Sequence, residues 1–144
     1  SGLYVLSPAD IICHAAAHLL ADGDLSGGMR NLWDIDRLVR QFLVEEPGFG
    51  EALAQRARLH GLTDAVARAL RLSAQLFGTP VVWPIRRVSA DALFLRRITA
   101  VDGWGRKTRK LIRQGFYIRS HLLRMPPAML ARHLWTKWRK GHRG

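Results

Sequence analysis

A single cysteine, Cys13, stands in the 144 residues, which excludes an internal disulfide framework and suits a reducing compartment. No apolar run approaches the roughly 20 residues needed to span a bilayer. Residues 1–7 lack the basic start and apolar stretch of a signal peptide. Strand-like alternation is confined to short candidate pieces at residues 3–6 and 81–83, and there is no internal repeat or low-complexity tract. The chain is therefore expected to be cytoplasmic, or peripheral to the inner membrane. It opens on Ser-Gly without Met and is read as a fragment of a longer protein.

Acidic residues are scarce in one half only. Residues 86–144 carry sixteen Lys/Arg against Asp91 and Asp102, a net of +14, whereas residues 1–85 carry seven Lys/Arg and nine Asp/Glu, a net of −2. Such segregation calls for an anionic neighbour to the second half: phosphate, acidic lipid, nucleic acid, or an acidic face of another domain. The 48% hydrophobic content fits one globular domain over residues 1–144, able to bury about two-thirds of the surface its unfolded chain exposes.

Almost all of what is present is helical in period. "SPAD" supplies Ser7 as an N-cap, Pro8 at the first helical position and Asp10 as the capping-box acid of a helix reaching about residue 20. "DGDLSGG" breaks it. Leu32, Ile35, Val39, Phe42 and Leu43 mark a second helix that stops before Pro47. A third covers about 50–60 and ends at Gly61. Thr63 starts a fourth, with Val66, Ala69, Leu70, Ser73 and Leu76 on one face and Gly78 as its stop. Ser89 with Ala92, Leu93, Leu95, Arg96 and Ile98 predicts a fifth. A sixth is placed at about 106–123, with an apolar stripe of Leu111, Phe116, Ile118, Leu122 and Leu123, and a seventh at 127–138. The expected fold is all-α, a compact bundle of six or seven helices with a basic C-terminal helical pair.

The candidate chemistry lies in "ICHAAAHLLADGDLSGGMRNLWDIDRLV". His14 and His18 are one turn apart on a helix and share a face with Ile11 and Ala15, so they are expected to point inward. With Asp34 or Asp36 they form the candidate metal set of a His/Asp hydrolase. Position 15 is Ala where the HExxH motif needs its general-base Glu. The reading preferred here is a buried histidine hydrogen-bonded to an aspartate across a helix contact. Cys13 and His14 are chain neighbours about 100° apart on a helix, which rules out a nucleophile–base pair.

A Gly-Gly turn followed by Asp-x-Asp also evokes the metal-binding carboxylates of polymerase-type nucleotidyl transfer, which a strand holds on one face. On a helix, Asp34 and Asp36 diverge by about 200°. A place in the first turn, facing the positive helix end, accounts for both without catalysis.

In the second half, Arg106, Lys107, Arg109, Lys110 and Arg113 fall largely outside the expected stripe, and Lys137, Arg139 and Lys140 flank Trp135 and Trp138. They form a candidate anion-binding face toward a phosphorylated ligand or an anionic membrane surface. No RRM, KH or zinc-finger signature supports sequence-specific nucleic acid binding.

"LSPADIICHAAAHLL", "RNLWDIDRLV" and "LAQRARLHGLTDAVARALRLSAQLFGTPV", followed by "YIRSHLLRMPPAMLARHLWTK", resemble the helical C-terminal part of the uncharacterised bacterial nucleotidyltransferase family. Its members are often linked to polysaccharide or lipid-carrier gene clusters. The resemblance implies an accessory helical domain, inactive alone, whose partner is a missing N-terminal catalytic domain using Mg2+ and NTP. It implies that His18 and Asp34 are structural polar positions. Asp36 departs from the apolar or neutral residue usual there.

Overall fold

Pro8 fixes the first turn of α1 (Pro8–Ala21), and Ser7 caps it. The Ser7 Oγ accepts the Asp10 amide at 3.2 Å and donates to the Asp10 carboxylate at 2.7 Å. The computed structural model describes residues 5–21, 23, 25, 27–82, 86, 88–100, 108–124 and 129. Over these the chain is all-helical, with α2 (Gly28–Glu45), α3 (Phe49–Leu59), α4 (Thr63–Phe77), α5 (Asp91–Ile98) and α6 (Lys110–Arg124) following α1. No strand occurs among the described residues, the described parts of 3–6 and 81–83 included. None of the helices is long and apolar enough to cross a membrane.

Glycine sets two of the junctions. Gly27 takes φ +77°, which lets the chain turn straight into α2, so this helix begins a full turn earlier than Leu32 alone indicates. At the end of α3, Gly61 takes φ +66°. Its amide bonds the Arg58 carbonyl and the Leu62 amide bonds the Ala57 carbonyl, a Schellman closure that satisfies two orphan carbonyls. Leu25 also adopts a left-handed φ, +56°, and is buried in the core. Burying its side chain is worth about 1.5–3 kcal/mol, which outweighs the roughly 1–2 kcal/mol of backbone strain.

The body is α1 packed on α2, α3 and α4, with α2 lying along α4. Ile12, Ala16 and Leu19 of α1, Leu32, Ile35 and Val39 of α2, Leu53 and Ala57 of α3, and Val66, Ala69 and Leu72 of α4 form its centre. These positions recur at three and four, as one buried helix face requires. The pair α5–α6 is added against α4.

That pair differs from expectation. In α5 the buried residues are Asp91, Phe94 and Ile98, while Leu93 is 53% exposed. Two arginines of α4 draw the Asp91 carboxylate inward and so turn Phe94, not Leu93, toward the core. In α6, Phe116 and Ser120 are buried and Ile112 packs on the core, whereas Leu111, Leu122 and Leu123 are 89%, 51% and 59% exposed. The ring of Phe116 meets Phe94 edge-on at 5.2 Å. A Cβ on Gly23 would lie 2.5 Å from the Ser120 Cα, so this approach needs both the glycine and a small side chain. The beginning of the expected sixth helix and nearly all of the seventh fall outside the described residues.

Two glycine substitutions test this packing in opposite directions. A Cβ at Gly50 would lie 2.4 Å from the Val82 carbonyl oxygen, so Gly50→Ala should cost about 1–3 kcal/mol in urea denaturation. At Gly115 the same atom meets nothing within 4 Å, and Gly115→Ala should stabilise by up to about 1 kcal/mol.

Candidate functional site

Asp34 and Asp36 sit within α2, not on a strand, and point to different environments. Asp34 is half-buried, whereas Asp36 has no exposed surface. Because α2 begins at Gly28, neither lies in its first turn, and attraction to the helix end does not explain them. Asp36 is explained by its partners. Its Oδ1 accepts the Thr79 hydroxyl at 2.8 Å and the Arg40 Nε at 2.9 Å, and its Oδ2 accepts the Arg37 Nη2 at 2.6 Å. With Thr79 committed to Asp36, Ser73 donates to Thr79, and the Leu32 carbonyl 3.2 Å away is its alternative acceptor. Arg40 also donates to the carbonyls of Phe77 and Gly78, which the end of α4 leaves without helical partners. The network ties the middle of α2 to the exit of α4.

Burial is the largest single influence on Asp36 and raises its pKa. The Thr79, Arg37 and Arg40 hydrogen bonds, with the Arg40 charge, together outweigh it and hold the carboxyl below its ordinary value.

Two further acids are held the same way. Arg56 grips Asp10 through two 2.7 Å bonds, and the His60 Nε2 lies 3.2 Å from Asp10 Oδ1, which joins α1 to the end of α3. Hydrogen bonds from Arg56 above all, and from Ser7, keep the Asp10 carboxyl well below the usual range. Asp91 is shared by Arg68 and Arg71 of α4. Arg68 lies over the Phe94 ring at 4.6 Å, and Arg119 of α6 over the same ring at 5.4 Å, so the clamp continues into α6 as a cation–π stack.

The histidines are a correction. His14 and His18 are exposed on α1, their ring centroids 6.4 Å apart, and His18 makes no hydrogen bond to Asp34. The acids buried at helix contacts are Asp36 and Asp91 instead, and Asp10 is half-buried. They lie opposite arginines, which bring a permanent charge and a forked donor. Among the described residues no group of three or more His, Cys, Asp or Glu could hold a metal ion. Cys13 is buried, and burial pushes its thiol pKa up, away from thiolate chemistry.

These residues do not fit a magnesium–triphosphate site. The one fully buried carboxylate of the Asp-x-Asp pair is already saturated by an oxygen donor and two guanidinium groups, and its neighbour diverges around the helix. Of the candidate anion-binding face, Arg109 and Lys110 are exposed and Arg113 is half-buried. Arg106, Lys107, Lys137, Arg139 and Lys140 lie outside the described residues. A groove of about 460 Å³ between the start of α1 and the α2–α3 turn is lined by Pro8, Ala9, Pro47 and Phe49 beside the Asp10–Arg56 pair. Its arginine and aspartate are neutralised by each other.

Fold and site together define a helical domain built on arginine-clamped acids. Residues 1–78 match the family described as uncharacterised nucleotidyltransferase, more than half of the chain, and the chain belongs to that family. No curated protein and no solved structure matches it. The matched segment closes one residue after α4 and contains the whole of α1–α4.

The depressed pKa of Asp36 fixes a sign. A group of this kind adds stability that is complete above its unfolded pKa, near 3.9, and is lost as pH falls through the lower folded value. Asp36→Asn should therefore cost about 2–3 kcal/mol at neutral pH, because it leaves the buried network half satisfied. It should also flatten the acid limb of the stability curve. Urea denaturation of both proteins at neutral pH and at about pH 3 reads both effects.

Proposed function

We propose that this chain is the helical accessory part of a nucleotidyltransferase, whose catalytic half lies outside these 144 residues and supplies the Mg2+ and NTP chemistry. Family membership over α1–α4 supports the general assignment. The accessory role rests above all on Asp36: the acid that resembles half of a metal-holding pair is fully buried and consumed in joining α2 to α4. The domain covers and braces the catalytic half, and its basic portion, with Arg109 and Lys110 exposed, meets a phosphorylated ligand or another anionic partner.

Incubation of the isolated chain with each of the four NTPs and magnesium should give no transfer, whereas the longer gene product should turn over. NTP- and magnesium-dependent transfer by the isolated chain would overturn the proposal. In the longer protein, Asp34→Ala should leave turnover within about threefold of the parent, a loss too small for a metal ligand.

A further inference from the structure

Helix α6 has two apolar faces, and the core uses one. Ile112, Phe116 and Ser120 turn inward. Leu111, Gly115, Ile118 and Leu122 recur at i, i+4, i+7 and i+11, which places them on a second side, roughly 130° around the helix from the inward set. Leu111 stands almost wholly in solvent, Leu122 is half exposed, and the added Cβ at Gly115 meets open space. Leu111 and Leu122 are about 16 Å apart along the axis, so the stripe runs most of the length of the helix. At its N-terminal end lie Arg109 and Lys110, both exposed, and no carboxylate among the described residues pairs with either, while the half-buried Arg113, two residues from Leu111, lies about 200° around the helix from the stripe.

We propose that this outer face of α6 docks flat on an anionic lipid bilayer, with Leu111, Ile118 and Leu122 entering the headgroup boundary and Arg109 and Lys110 held at the lipid phosphates. Charge complementarity selects the partner. The half of the chain that contains α6 carries a net of +14, so two copies of it repel each other. Nucleic acid would engage the cations but gives nothing to a leucine stripe. A protein partner needs complementary shape, whereas Leu111 stands out from a bare helix surface with a glycine gap one turn on. A bilayer requires only an apolar stripe bordered by cations. The proposal is independent of nucleotidyl transfer and survives or fails apart from it.

Flotation of the full 144-residue chain with phosphatidylcholine vesicles, with and without phosphatidylglycerol, tests it. The protein should float with the acidic vesicles only, and high salt should release it. Lys110→Ala should weaken partitioning by about fivefold, the effect of one cation removed at the lipid surface. Leu111→Glu with Leu122→Glu should weaken it by at least about tenfold while helical circular dichroism is unchanged, since both side chains are exposed. No flotation with acidic vesicles would overturn the proposal, as would equal flotation of the leucine variant. Displacement from vesicles by duplex DNA at equal charge would assign the face to nucleic acid instead. Dimerisation abolished by the leucine variant would assign it to a second copy.

Discussion

A carboxylate with no exposed surface has to be matched or left neutral, and Asp36 is matched on both oxygens. The cost of removing the charge from water is several kcal/mol, and attraction alone repays it only with near-ideal geometry and satisfied lone pairs. Thr79 and the two arginines supply that geometry, and Arg40 at the same time closes the last carbonyls of α4. The α2–α4 contact is thereby fixed in register as well as in contact area.

The same device recurs at the two other helix contacts that need orientation. Asp10 with Arg56 pins α1 to α3, and Asp91 with Arg68 and Arg71 pins α5 to α4. In each case the acid lies on the inner side and an arginine more exposed than the acid reaches it. Lysine could supply the charge but not the forked donor, and histidine would surrender the charge near neutral pH. The family-matched part uses two of these clamps internally, and the third attaches α5–α6 to it.

Much of the fold was legible. Ser7, Pro8 and Asp10 announced α1, and Gly61 and Gly78 announced the ends of α3 and α4, because those signals act within a few residues of the backbone they control. The faces of α5 and α6 were not legible. Leu93 and Leu111 score as core by hydrophobicity, but Asp91 is pulled inward from a distant helix and Ser120 is admitted by Gly23 nearly a hundred residues earlier. The histidines misled for the same reason: a spacing of four fixes that two residues share a face, not which way the face points. Asp36 carried a usable signal in Arg40, four residues on and on the same side of the helix, although nothing local linked either residue to Thr79.

The contact between Gly23 and Ser120 has a consequence for how the molecule comes apart. It joins the turn after α1 to the far end of α6 with no room for a side chain, and Arg119 adds a bond to the Gly23 carbonyl at 3.1 Å. Any bulk placed there would act as a wedge, prising the last helix off while the clamps of α1–α4 stay shut. The late helices are an addition to the α1–α4 body, and their seat at Gly23 has no room for a methyl group.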